Sequence, residues 1–470
     1  MAHNTTTPFD KPRMRPQERQ ATLAIAAVFA TRMLGLFMIF PVFAIFAHQA
    51  FPQATGMQIG LAMGIYGLTQ ALLQIPFGLA SDKWGRKPLI IGGMLVFAAG
   101  SVICALAPDM ETMILGRAVQ GMGAVAAVLT ALVADLVREP LRLRAMSIVG
   151  MTIGLSFTLS LILGPLLSNW WGVRGIFWAI AVLALIGIAL VIWVVPTPKT
   201  HKFQREAEVD VGMIGQVLRH PQLLRLDVGI FILHAMLTAM FVVVPLLIAH
   251  EAGLDSEHHW QLYLPVMLLS FVLMVPLIIQ AESKGRMKPI FVGAIATLVV
   301  VQLGFTLISA AYVSLFVLLL VFFTAFNLLE ASLPSLVVKL SPPDKKGTAS
   351  GVYSTSQFLG AAFGGALGGW LYQQYGLDAV FYGTAALGLL WLGVAATMEK
   401  PQPLSIASVS LPNGLDDAEE IADFLHHQPG VADVVVRLDE GMAYVKIDRK
   451  QTGEWVLAQA VREQFSNQCE

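Results

Sequence analysis

Charge is scarce in this sequence. Of 470 residues only 13% are Asp, Glu, Lys or Arg, about half the share of a water-soluble domain. That scarcity excludes an ordinary soluble enzyme, a disordered chain and a nucleic-acid binder. The 30 basic and 31 acidic residues balance, so no bulk field draws the chain to DNA or anionic lipid. Cysteine is nearly absent. Cys104 and Cys469 stand far apart with no CxxC partner, which argues against a disulfide framework and a thiolate metal site. HExxH and GxSxG do not occur, and neither His nor Asp clusters in the apolar runs, so a membrane-embedded enzyme finds no support. No metal and no cofactor is expected.

What the chain has is apolar length. Hydrophobic residues make up 56% and mean hydropathy is +0.69. Runs of about 20 apolar residues each fit one bilayer crossing as a helix. Twelve are expected: 21–47, 57–80, 88–107, 112–137, 145–168, 174–195, 224–250, 260–281, 289–308, 312–338, 348–372 and 377–397. The first lacks a signal-peptide pattern and is read as a retained helix. With the N-terminus placed in the cytoplasm, 22 of the 30 Lys and Arg residues fall in inside segments and only Arg174 in an outside loop. That asymmetry predicts a multi-pass protein with both termini cytoplasmic.

The polar segment 196–223 divides the spans into a half at 1–195 and a half at 224–400. At an offset of 204, Leu163-Gly164-Pro165 falls on Leu367-Gly368-Gly369, and Gly172 on Gly376. Such weak internal symmetry marks a duplicated transporter with substrate bound near the midplane. Residues 405–470 carry ordinary charge density and form a separate small domain. Ile406–Leu411 reads as a strand and Asp416–His427 as a helix capped by Asp416 or Asp417. Val431–Leu438 and Met442–Ile447 read as a hairpin around Glu440-Gly441, and Thr452–Phe465 as a second helix. The order β-α-β-β-α is ferredoxin-like, with an open edge expected at the first or third strand.

Between spans 2 and 3 stands Gly78-Leu-Ala-Ser-Asp82-Lys-Trp-Gly85-Arg86-Lys87. Gly78 would permit close helix approach and Gly85 a tight turn. The run resembles the GxxxDxxGRK loop of the major facilitator superfamily. The resemblance implies twelve spans in two six-helix halves, and a loop that locks the outward-facing state. Asp135 stands where the superfamily completes this charge relay, with Arg86 as its expected partner. The second half offers Glu282-Ser-Lys-Gly285-Arg286, a weaker copy without the leading glycine.

Gly116-Arg117-Ala-Val-Gln120-Gly121 resembles the RxxQG motif of proton-coupled members, which links Arg117 to proton coupling. Snorkelling of Arg117 to the outer surface is the plainer alternative. Gly164-Pro165 resembles the start of the antiporter GPxxGG ending, with Ser168-Asn169 in place of its last two glycines, so exchange is only modestly favoured. Gly360, Gly364 and Gly368 form a close-packing face on span 11.

Further polar groups inside spans are Arg32, Gln70, Gln74, His234, Asn327 and Glu330. Arg32 lies about twelve residues in, roughly 18 Å at 1.5 Å per residue, which is mid-membrane. Glu330 is the one acid well inside a span. A desolvated carboxyl can exchange protons near neutral pH, so Glu330 leads as the coupling group. A structural hydrogen bond from Glu330 to Asn327 one turn away is the competing reading. His234 reads as a packed polar residue and His258-His259 as a solvated pair.

Taken whole, the chain resembles the YajR type within the superfamily, proton-driven efflux transporters with a C-terminal ferredoxin-like domain in the bacterial inner membrane. That resemblance implies export of small amphipathic molecules, with the lipid bilayer, protons and a small-molecule substrate as partners and self-association through the tail as an option. Two other readings stay open. One is uptake of a small anion with Arg32 and Arg117 as counter-charges. The other is a non-transporting sensor that signals through its tail. The tail is similar to heavy-metal-associated domains at Gly430-Val-Ala-Asp-Val-Val-Val, but the metal-binding CxxC is absent.

Overall fold

The computed structural model describes residues 14–197, 211–307, 311–342, 345–399, 404–412, 415, 417–438, 441–448 and 451–465. Most of the expected linker 196–223 up to 210, the tether at 400–403, and Asp416 and Glu440 lie outside these residues.

The membrane helices are α1 (Pro16–Phe37), α2 (Phe40–Ala50), α3 (Gly56–Trp84), α4 (Arg86–Leu106), α5 (Met110–Met122), α6 (Ala126–Leu136) and α7 (Glu139–Trp193). After α8 (Val211–Arg219) come α9 (Pro221–Glu251), α10 (His259–Ser283), α11 (Met287–Leu307), α12 (Tyr312–Leu340), α13 (Lys346–Tyr375) and α14 (Leu377–Ala396).

Among the described residues ten segments are long and apolar enough to cross a membrane. Two features separate that number from twelve. Expected spans 5 and 6 run together as α7, broken at Gly172, whose φ of 67° leaves the helix. The expected span 11 is α13, whose twelve glycines, threonines and glutamines dilute its hydropathy although 30 residues suffice to cross. Expected spans 1 and 4 are each two helices, α1–α2 and α5–α6, which continue one crossing. Asp109 caps α5 by accepting from the Thr112 backbone N–H at 2.7 Å, and that bond holds its carboxyl below the ordinary range.

Tryptophans mark two levels. Trp84 and Trp193 are exposed at the end bearing the basic loops, and Trp170, Trp171 and Trp370 at the opposite end, as an interfacial belt requires. The duplication is visible in backbone geometry. Gly172 and Gly376, paired at the offset of 204, both take positive φ, 67° and 86°. Each joins the last two crossings of its half.

Helix α13 packs with glycine on two faces. A Cβ at Gly360, Gly364 or Gly368 would strike the backbone of α9 at Phe231, Ala235 or Ala239. A Cβ at Gly365 or Gly369 would strike Gly60 or Gly56 of α3. The first seam lies inside the second half; the other joins the two halves. Gly164 approaches the Met38 carbonyl at the α1–α2 break. Gly78 differs from expectation. A Cβ there would meet only the Ala127 Cβ at 3.8 Å, an ordinary contact, so close approach does not explain it in this conformation.

The C-terminal domain has β1 (Leu404–Ser410), α15 (Ala418–His426), β2 (Val431–Arg437), β3 (Met442–Asp448) and α16 (Glu454–Phe465). The described sheet is antiparallel with order β1-β3-β2. The third strand is therefore central, and the edges are the first and second; the hairpin and the return of β1 onto β3 both use it. Val409, Val445, Ile421, Leu425, Leu457 and Val461 form the core between sheet and helices. Asp417 caps α15, accepting from the N–H groups of Glu419 and Glu420.

Candidate functional site

Three polar clusters lie among the membrane helices. The first sits at the α3–α4 turn. Gly85 takes φ 89°, a conformation that a side chain resists. Arg86 thereby starts α4 and turns inward, 5% exposed. Its Nε donates to Asp135 Oδ2 at 3.0 Å, and its Nη1 donates to Ser81 Oγ at 2.6 Å and pairs with Asp82. Arg86 and Asp135 are thus partners. Lys87 does not join them; its Nζ donates to the Val195 carbonyl at 2.6 Å and so closes the C-terminal end of α7. The corresponding Gly285 also has positive φ, 62°, but Arg286 is exposed. The Glu282 side chain lies outside the described residues.

The second cluster is buried in the first half. Arg32 and Arg117 are 1% and 0% exposed. Arg32 Nη2 donates to the Tyr66 hydroxyl at 2.9 Å and to Gln70 Oε1. Arg117 lies over the Tyr66 ring, 5.1 Å from its centroid, a cation–π contact. Its Nε donates to the Ala62 carbonyl at 3.2 Å and its Nη1 to Gln120 Oε1 at 2.7 Å. Gln120 in turn donates to Ser101 at 2.7 Å. Complete burial overturns the snorkelling alternative for Arg117: seven residues of α5 precede it, and its Nε and Nη1 donate inward.

The third cluster is in the second half. Gln357 Nε2 donates to His234 Nε2 at 2.8 Å and to Glu330 Oε1 at 3.2 Å. Glu330 Oε2 stands 3.9 Å from His234 Nε2. Asn327 does not bind Glu330; it donates to Ser270 Oγ at 3.0 Å. The expected intrahelical bond fails because Asn327 faces α10 while Glu330 faces α9 and α13. His259 is fully buried with its Nε2 at 3.0 Å from the Leu254 carbonyl, so the expected solvated pair is half wrong.

Sequence reasoning passed over Tyr66, Gln357 and the bidentate pair of Arg138 with Glu18, at 2.6 and 3.0 Å. For Gln357 a signal existed in Ser354-Thr355-Ser356-Gln357, a polar run inside a bilayer helix. Tyr66 and Glu18 gave none, since their partners are distant in sequence.

The halves meet toward the end opposite the basic loops. Phe40 lies tilted against Phe241 with centroids 5.5 Å apart, and Phe157 against Phe326 at 6.0 Å. Beyond them His48 meets Tyr372 at 5.9 Å, and the Met57 N–H donates to Gln373 Oε1 at 3.1 Å.

Two helical halves, each holding a polar cluster among its membrane helices, suit a membrane transporter, and comparison with known proteins gives the family. The chain belongs to the major facilitator superfamily, whose model matches residues 25–365 and again 284–428. The YajR YAM domain model matches residues 408–463. The chain is 46% identical over 451 residues to the inner membrane transport protein YajR of Escherichia coli strain K12, covering 96% of this chain and 99% of that one. It is 26% identical over 348 residues to the multidrug resistance protein MdtH of Enterobacter sp. strain 638, covering 73% and 84%. A solved bacterial homologue of the human lysosomal transporter Spinster, inward-facing and occupied, superposes with TM-score 0.65 at 13% identity, covering 82% and 97%; that likeness concerns the fold. The chain is a multi-pass membrane transporter of small molecules, and its tail carries the second domain of the YajR type.

Proposed function

We infer that this transporter exports small amphipathic molecules in exchange for protons, with Glu330 as the group that carries the proton. The observation behind this reading is the placement of Glu330. It is the acid held at mid-membrane between two helices, by Gln357 and near His234, with one carboxylate oxygen lacking a donor. A carboxyl so placed can alternate between a proton and a cargo group. Arg117 and Gln120, matching RxxQG, support proton coupling from the other half.

The basic loops face the cytoplasm in this reading, with both termini on that side. The described conformation, joined at the far end, is then inward-facing. Arg86, Asp82 and Asp135 form the lock of the opposite state, and the weaker loop around Gly285 serves the second half. Similarity to a multidrug resistance protein supports export. The test uses proteoliposomes under an imposed pH gradient with a panel of amphipathic compounds. Collapse of the gradient on adding a compound supports exchange. Gradients that no compound alters, in folded protein, contradict it and favour the sensor reading.

A further inference from the structure

Deep charge divides by half. Arg32 and Arg117 both lie in the first half and share Tyr66. Arg32 Nε and Nη1 and Arg117 Nη2 are buried without an acceptor. Among the described residues no carboxylate pairs with either arginine. Two guanidinium ions without counter-charge in a bilayer interior are costly, and an arriving anion would relieve both.

The acid lies in the other half. Glu330 Oε2 also lacks a donor, and its side chain is 34% exposed. These groups flank one contact. Gly67 of α3 abuts the Phe358 carbonyl of α13. Gln70, one turn from Gly67, holds Arg32; Gln357, beside Phe358, holds Glu330. An aromatic layer covers this level. Phe37 lies five residues beyond Arg32, roughly 8 Å along α1, and Phe40 opens α2 just past the break. From the other half Phe326 sits 6.0 Å from the His234 ring.

We propose that the cargo is an amphipathic zwitterion, its anionic group held by Arg32 and Arg117 and its cationic group by Glu330. Its apolar body lies against the phenylalanine layer. The proposal rests on the exchange reading above and explains it. An ammonium and a proton compete for one carboxylate, so cargo loading releases the proton. A simple anion would instead bind best when Glu330 is protonated, and would travel with the proton.

The test is equilibrium binding to the purified full chain, with no gradient. The probe is para-aminoethylbenzoate, which carries carboxylate and ammonium at opposite ends of an aromatic ring. Para-ethylbenzoate lacks the ammonium, and para-methylphenethylamine lacks the carboxylate. The zwitterion should bind about tenfold or more tightly than either. Arg32→Gln should weaken the zwitterion and the benzoate but leave the amine unchanged. Glu330→Gln should do the reverse. Arg32→Lys, which keeps the charge, guards against a variant that misfolds and should restore part of the benzoate affinity.

Equal binding of the three probes, no binding of any, or an Arg32→Gln protein with unaltered zwitterion affinity would overturn the proposal. Because no gradient is applied, such a result leaves the exchange reading to be judged by driven flux alone.

Discussion

The turn from α3 to α4 and the turn from α10 to α11 share a glycine of positive φ but differ in length and in side-chain fate. Each passes through a glycine of positive φ, Gly85 at 89° and Gly285 at 62°, followed by an arginine. Arg86 is drawn inside among Ser81, Asp82 and Asp135, whereas Arg286 remains exposed. Both halves therefore keep the positive-φ glycine that the chain reversal uses, and only the first draws its arginine inward. The mid-membrane groups repeat the lesson. The first half buries arginines with a tyrosine, and the second sets a part-exposed glutamate against a histidine and a glutamine.

Replacing the arginines sharpens that contrast most. Arg86→Met leaves Asp82 and Asp135 facing each other without their cation and should cost about 3–5 kcal/mol of stability. Arg286→Gln should stay within about 0.5 kcal/mol. Thermal unfolding of the two variants in one detergent measures the difference; equal losses would break the comparison.

The two faces of α13 come next. Gly364→Val drives a side chain into the α9 backbone within one half and should cost about 1–3 kcal/mol. Gly365→Val collides with Gly60 across the halves. It should fold and instead hold the outer end open. Labelling of a cysteine introduced at Met57 from the outside should speed up in Gly365→Val and stay at the wild-type rate in folded Gly364→Val.

Asp82→Asn should leave folding intact, lower transport and move the resting population toward inward-facing states. Distances between spin labels on the halves report this, and an unchanged distribution would exclude Asp82 from the lock. Smallest of all, truncation after Lys400 should preserve transport while changing oligomeric state or the dependence on ionic conditions. Complete loss of transport in a folded truncate would make the tail part of the cycle.

The spans, the basic-loop asymmetry and the β-α-β-β-α order of the tail were legible because they are written in local composition and period. Arg86 with Asp135 was legible because the loop motif holds Arg86 and the resemblance to the superfamily supplied Asp135 as its partner. Partners between distant helices were not. Glu330 could be singled out as a deep acid, yet its rotation toward Gln357 rather than Asn327 depends on how α12 sits between α9, α10 and α13. Tyr66 offered no sign that it would receive two arginines. The central place of β3 was likewise invisible, because strand order in a βαββ unit is set by the return of the chain, not by its pattern.

The central claim is that Glu330 couples cargo to protons. Driven transport and passive cargo exchange, measured side by side in Glu330→Gln proteoliposomes, test it most directly. The account predicts that accumulation driven by a pH gradient disappears while exchange of cargo across the membrane continues. Driven accumulation with the wild-type dependence on pH would contradict it and place the coupling acid elsewhere.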